Sequence, residues 1–153
     1  MSFAFVFPGQ GSQSVGMMAA YGDAAVVRAT FDEASAALGD DLWTMVADGP
    51  AEALTQTVNT QPVMLTAGVA TWRLWCEKGG RKPAVVAGHS LGEYSALVAA
   101  GVISFSDAVP LVRLRAAAMQ EAVPLGTGAM AAILGLDTPG ILAACAEAGQ
   151  GEV

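Results

Sequence analysis

The apolar residues fall in two kinds of pattern, short unbroken runs and longer stretches with helical spacing. Residues 3–7 (Phe-Ala-Phe-Val-Phe) form an unbroken run closed by Pro8-Gly9, which reads as a buried strand. Gly9-Gln10-Gly11-Ser12-Gln13 follows as a glycine-rich loop. Residues 23–38 predict a helix, with Asp23 as N-cap and Gly39 as stop. Residues 42–57 read as short helical pieces broken at Gly49-Pro50, and Pro62 suits the first turn of a longer helix that runs to Gly79-Gly80. Residues 84–87 (Ala-Val-Val-Ala) are a second buried strand, followed by a helix over 91–100 that ends at Gly101. Ser106 is placed to cap a helix over about 107–122, which Pro124 ends. Gly128 to Leu136 reads as a third strand and 139–148 as a last helix. Strands separated by helices in this order predict an α/β fold with a parallel sheet. The best junction between subdomains is Gly126-Thr127-Gly128, which divides the chain into 1–127 and 128–153.

Composition narrows the class. The 153 residues suffice for one domain with a real core, and 54% of them are hydrophobic against 14% charged. No uninterrupted apolar stretch is long enough for a membrane span, and the first residues lack a basic head and a cleavage site. Cys76 and Cys145 are isolated, without metal-like spacing, and read as reduced buried thiols of a cytoplasmic protein. A net charge of −7 argues against nucleic-acid binding and requires local cations wherever an anion is bound. Neither a metal nor a cofactor is called for.

The chemistry concentrates at Gly88-His89-Ser90-Leu91-Gly92. A strand, then Gly-x-Ser-x-Gly, then a helix is the pattern of a nucleophile elbow. The glycines permit a tight turn that lifts the serine hydroxyl above the carboxyl edge of the sheet. The helix aims its free N–H groups at the same spot, so the Leu91 N–H can stabilise an oxyanion beside Ser90. The alternative is a structural serine on a glycine-rich turn. His89 is the only histidine, and it is badly placed as a base, because adjacent residues at a strand end project in opposite directions. It reads as a packed or hydrogen-bonded support for the turn.

Three stretches extend this reading: Phe5 to Gln13 (FVFPGQGSQ), Gly88 to Leu97 (GHSLGEYSAL), and Met119 to Pro124 (MQEAVP) with Gly126 to Met130 (GTGAM). Together and in this order they closely resemble the bacterial malonyl-CoA:acyl-carrier-protein transacylase family of fatty-acid synthesis. The resemblance implies an α/β-hydrolase-like subdomain over 1–127 and the beginning of a ferredoxin-like subdomain over 128–153. It implies Ser90 as the acyl carrier, Gln10 and Leu91 as the backbone donors of the oxyanion hole, and Arg115 as the residue that grips the malonyl carboxylate. It also implies malonyl-CoA and acyl carrier protein as partners. The family's base is a histidine in the second half of a chain about twice as long, so the sequence reads as an N-terminal portion, incomplete without that half.

Arg115 can be placed from helical geometry as well. On a helix over 107–122, Ala108, Leu111, Val112, Ala118, Met119 and Ala122 all lie within about 60° of it. That predicts an inward-facing Arg115 and an Arg113 pointing the other way. A buried guanidinium needs a partner. Geometry alone leaves two open, a substrate carboxylate or a distant protein carboxylate; the resemblance implies the first. Gln13 and Gln61 either line the cleft or cap elements, and Lys78, Arg81 and Lys82 form a basic cluster at a helix end. Beside acyl transfer stand two other readings. One is an esterase or thioesterase with the same elbow, which would have no use for a cation opposite the serine. The other is a non-catalytic folding fragment.

Overall fold

A computed structural model describes residues 2–123 and 133–149. The chain divides into two compact units, Met1–Ala122 and Val123–Val153. The first holds strand β1 (Ala4–Phe7), helices α1 (Ala25–Leu38), α2 (Leu42–Asp48), α3 (Ala51–Thr55) and α4 (Thr57–Glu77), strand β2 (Val85–Gly88), and helices α5 (Leu91–Ala99) and α6 (Phe105–Glu121). The second holds helix α7 (Thr138–Gly149). Among the described residues the sheet is β1 beside β2, parallel, with Phe5 opposite Val86 and Phe7 opposite Gly88. The fold is α/β, mostly helical, around this small parallel sheet.

Helix α4 is the central element of the first unit. Every residue from Thr60 to Ala67 is buried, as are Val69 and Ala70, and α1, α5 and α6 pack around it. Phe31 of α1, Leu42 and Val46 of α2, and Val109 and Val112 of α6 are fully buried against it. Gly68 allows α5 to come close: a Cβ there would stand 3.0 Å from the buried Ser95 hydroxyl and 3.2 Å from the Phe7 ring. The first unit's ends of β1 and β2 are thereby fixed against the α4–α5 pair.

Several boundaries differ from expectation. Helix α4 begins at Thr57, so Pro62 sits in its second turn rather than its first. Side chains explain the early start. Asn59 Nδ2 donates to the Ala53 carbonyl at 2.9 Å and Thr60 Oγ1 to the Leu54 carbonyl at 2.6 Å, so α3's last carbonyls are capped by α4's first turn. Ser104, not Ser106, caps α6: its hydroxyl accepts from the Asp107 N–H at 3.1 Å and donates to the Asp107 carboxylate. Ala24, not Asp23, stands at the N-cap of α1, while Gly39 closes that helix in the left-handed region as expected. Strand β2 is shifted by one residue and ends at Gly88. Of the expected third strand, 128–132 lie outside the described residues, as does the junction at 126–128. Residues 133–136 form no strand; Leu134 is 90% exposed there, and among the described residues no strand pairs with this stretch. Cys76 and Cys145 are free, but both are exposed rather than buried. Among the described residues no helix is long and apolar enough to cross a membrane.

Candidate active site

At the carboxyl end of β2 the chain turns through His89 and Ser90 directly into α5. Ser90 has φ 53° and ψ −112°, and among the described residues it alone holds a positive φ without being glycine. Such a conformation costs of order 1–3 kcal/mol and persists only where the surroundings impose it. Here the backbone imposes it. A Cβ on Gly88 would lie 2.0 Å from the Gly92 carbonyl oxygen, and one on Gly92 would lie 2.3 Å from the Phe7 carbonyl oxygen. The Gly92 N–H donates to the His89 carbonyl at 2.9 Å and the Glu93 N–H to the Ser90 carbonyl at 3.2 Å. The end of β1, the end of β2 and the start of α5 are thus in backbone contact, and no side chain fits between them.

The loop after β1 reaches the same place. A Cβ on Gly9 would stand 3.0 Å from the His89 carbonyl oxygen. Gln10 follows, and its side chain turns away to donate to Thr57 Oγ1 at 3.1 Å. Gln13 closes the loop on itself, its Oε1 accepting from the Gly11 N–H at 2.8 Å. Among the described residues the N–H groups of Gln10 and Leu91 have no protein acceptor. His89 is exposed, and its backbone carbonyl, not its imidazole, braces the turn.

Arg115 crosses from α6 to meet this turn. Its Nη2 donates to Ser90 Oγ at 2.9 Å and its Nη1 to Gln61 Oε1 at 2.8 Å. The guanidinium also lies 5.6 Å from the Tyr94 ring centre, at cation–π range. Gln61 is fully buried on α4, and its Nε2 donates to Met119 Sδ at 3.4 Å. The helix is rotated from the expected orientation. The buried stripe of α6 is Phe105, Ala108, Val109, Val112 and Ala116, whereas Leu111, Ala118, Met119 and Ala122 are exposed. Arg115 lies about 80° to one side of that stripe and Arg113 about 80° to the other. Arg115 is therefore half-buried at the stripe's border rather than inward. The elbow pattern points to Ser90 and Leu91, and the family resemblance adds Gln10 and Arg115. No sequence pattern marks Tyr94, although it stands one helical turn beyond Ser90 on α5.

The site thus joins a serine hydroxyl lifted on a strained turn, free N–H groups at a helix start and a guanidinium that, among the described residues, has no carboxylate partner. Among the described residues neither an imidazole nor a carboxylate bonds to Ser90 Oγ. The chain belongs to the acyl transferase domain family, whose model matches residues 4–147. It is 62% identical over 152 residues to the malonyl CoA-acyl carrier protein transacylase of Salmonella typhimurium, covering 99% of this chain and 49% of that protein. Among solved structures, the acyl-carrier-protein S-malonyltransferase of Burkholderia pseudomallei is similar, with TM-score 0.90 and 66% identity over 98% of this chain and 49% of that one. So is a malonyl-transacylase solved with its type II polyketide acyl-carrier protein, with TM-score 0.93 and 58% identity over 100% of this chain and 50% of that one. The chain spans about half the length of the curated relatives it matches.

Proposed function

We propose that this chain carries the nucleophile and the carboxylate clamp of a malonyl-CoA:acyl-carrier-protein transacylase of fatty-acid synthesis. The observation that carries the reading is the 2.9 Å contact from Arg115 Nη2 to Ser90 Oγ, a cation with neutral protein partners beside the elbow serine. Ser90 Oγ attacks the thioester carbonyl carbon of malonyl-CoA, and its proton passes to a base. The oxyanion is met by the N–H groups of Leu91 and Gln10. The C–S bond breaks, coenzyme A leaves as the thiol with the proton returned, and Ser90 holds the malonyl group as an ester. The thiol of acyl carrier protein then attacks that ester by the same route and restores the Ser90 hydroxyl.

Arg115 fills a distinct role. A guanidinium donates and never accepts, so it cannot be the base. It takes the malonyl carboxylate in a bidentate fork and replaces the water that charge gives up on entry. The base is a histidine outside these residues, supplied by the second half of the longer chains. This reading includes an α/β-hydrolase-like subdomain over 1–127, the start of a ferredoxin-like one over 128–153, and a cytoplasmic setting. A half-buried cation facing the serine disfavours the esterase alternative, because a neutral ester offers it no counter-charge. The test is to incubate a full-length form, as long as its relatives, with malonyl-CoA, then map the adduct by peptide mass spectrometry. A malonyl ester on Ser90 that acyl carrier protein discharges is expected; an adduct elsewhere, or loss to water alone, contradicts the reading.

A further inference from the structure

Among the described residues, most buried side-chain hydroxyls are satisfied locally. Thr30 and Thr66 each donate to a carbonyl four residues back on their own helix, and Thr60 donates to the Leu54 carbonyl just ahead of its helix. Gln61 is different. It is fully buried on α4, yet both ends of its amide engage α6, Oε1 accepting from Arg115 and Nε2 donating to Met119 Sδ. Arg115 and Met119 are one turn apart on that helix, so the amide spans a single turn of its neighbour. The two contacts also fix its orientation, since the guanidinium only donates and the thioether only accepts.

We propose that Gln61 is the positioning residue that holds the Arg115 guanidinium over Ser90 while leaving its charge uncancelled. This rests on Arg115 being the carboxylate clamp. A long arginine side chain has many rotamers, and binding would have to order it. A buried neutral acceptor orders it beforehand. A carboxylate at the same place would order it equally well but would neutralise it, as Asp40 does for Arg113. The burial of Gln61 makes the hold rigid, because swinging away would strand the amide without partners in the core.

Two measurements test this. The first uses a full-length form and reads rotation of the Arg115 guanidinium by nitrogen NMR. The Nη signals are expected to show restricted rotation in the parent and fast rotation in Gln61→Met; unchanged rotation overturns the proposal. The second compares kcat/KM for malonyl-CoA and acetyl-CoA in a full-length form. Gln61→Met is expected to lower the malonyl-to-acetyl ratio by roughly tenfold, mainly through KM for malonyl-CoA. Gln61→Glu should lower it further, because the new charge competes with the substrate for Arg115. Equal losses on both substrates, or a Gln61→Glu variant no worse than Gln61→Met, would mean Gln61 only packs. If Arg115→Ala leaves the ratio unmoved, the clamp reading has failed, and the rotation measurement still reports the contact separately.

Discussion

Arg113 and Arg115 leave the same helix two residues apart, on opposite borders of one buried stripe, and meet opposite surroundings. Arg113 pairs with the Asp40 carboxylate in the loop after α1 and also donates to Asn59 Oδ1 at 3.4 Å. Arg115 meets an amide oxygen, a serine hydroxyl and an aromatic face. Arg28 and Arg73 resemble Arg113, each bonded to a carboxylate, Asp32 and Glu33. The difference separates two uses of one side chain. A guanidinium matched to a carboxylate joins elements of the fold. A guanidinium that meets only neutral oxygens among the described residues keeps its charge uncancelled, and under the proposed reading that charge serves a group reacting at the strained serine beside it.

The comparison can be sharpened by removing parts of each side. Ser90→Ala in a full-length form should abolish the acyl-enzyme and lower transfer by several orders of magnitude, as loss of a nucleophile does. Retained transfer at a hundredth of the parent rate or better would remove Ser90 from the chemistry. Arg113→Ala should leave the malonyl-to-acetyl ratio where it was and cost about 1–2 kcal/mol of stability, read by urea unfolding. A shifted ratio would mean the two flanks are not separate. Asp40→Asn removes the charge but keeps an acceptor, so the loss should shrink to about 0.5–1 kcal/mol.

The smallest effect is one of pH. Asp41 accepts from the Thr44 N–H and hydroxyl, first of all the N–H, at the N-cap of α2, which holds its carboxyl below the ordinary carboxylate range. A carboxylate lowered in the folded state stabilises at neutral pH and loses that contribution as pH falls through its folded pKa. Asp41→Asn should therefore flatten the acid limb of the stability profile slightly; a variant as acid-sensitive as the parent would contradict this.

The elbow was legible because its cause is local. Glycines at 88 and 92 around Ser90, between an apolar run and a helix, encode a turn that no other residue fits. What the sequence hid depends on residues far apart. The partner of the Gln10 side chain is Thr57, and that of Arg115 is Gln61, each on an element whose neighbours no local pattern reveals. The rotation of α6 differs from expectation for a related reason. Alanines fit either face of a helix, and Leu111 and Met119 have the character of core residues, yet each is more than a third exposed in the first unit. Ser104 and Ser106 were both able to cap; the position of Asp107 relative to Ser104 decided between them.

The central claim is that Arg115 is left open for a carboxylate on the acyl group. The direct measurement is kcat/KM for malonyl-CoA and acetyl-CoA in a full-length form, with Arg115 and with Arg115→Ala and Arg115→Lys. The account predicts that Arg115→Ala loses malonyl transfer by roughly tenfold to a thousandfold while acetyl transfer holds or rises. Arg115→Lys should recover only part of the preference, because an ammonium cannot form the fork. Equal losses on both substrates would contradict the account and make Arg115, like Arg113, a part of the fold.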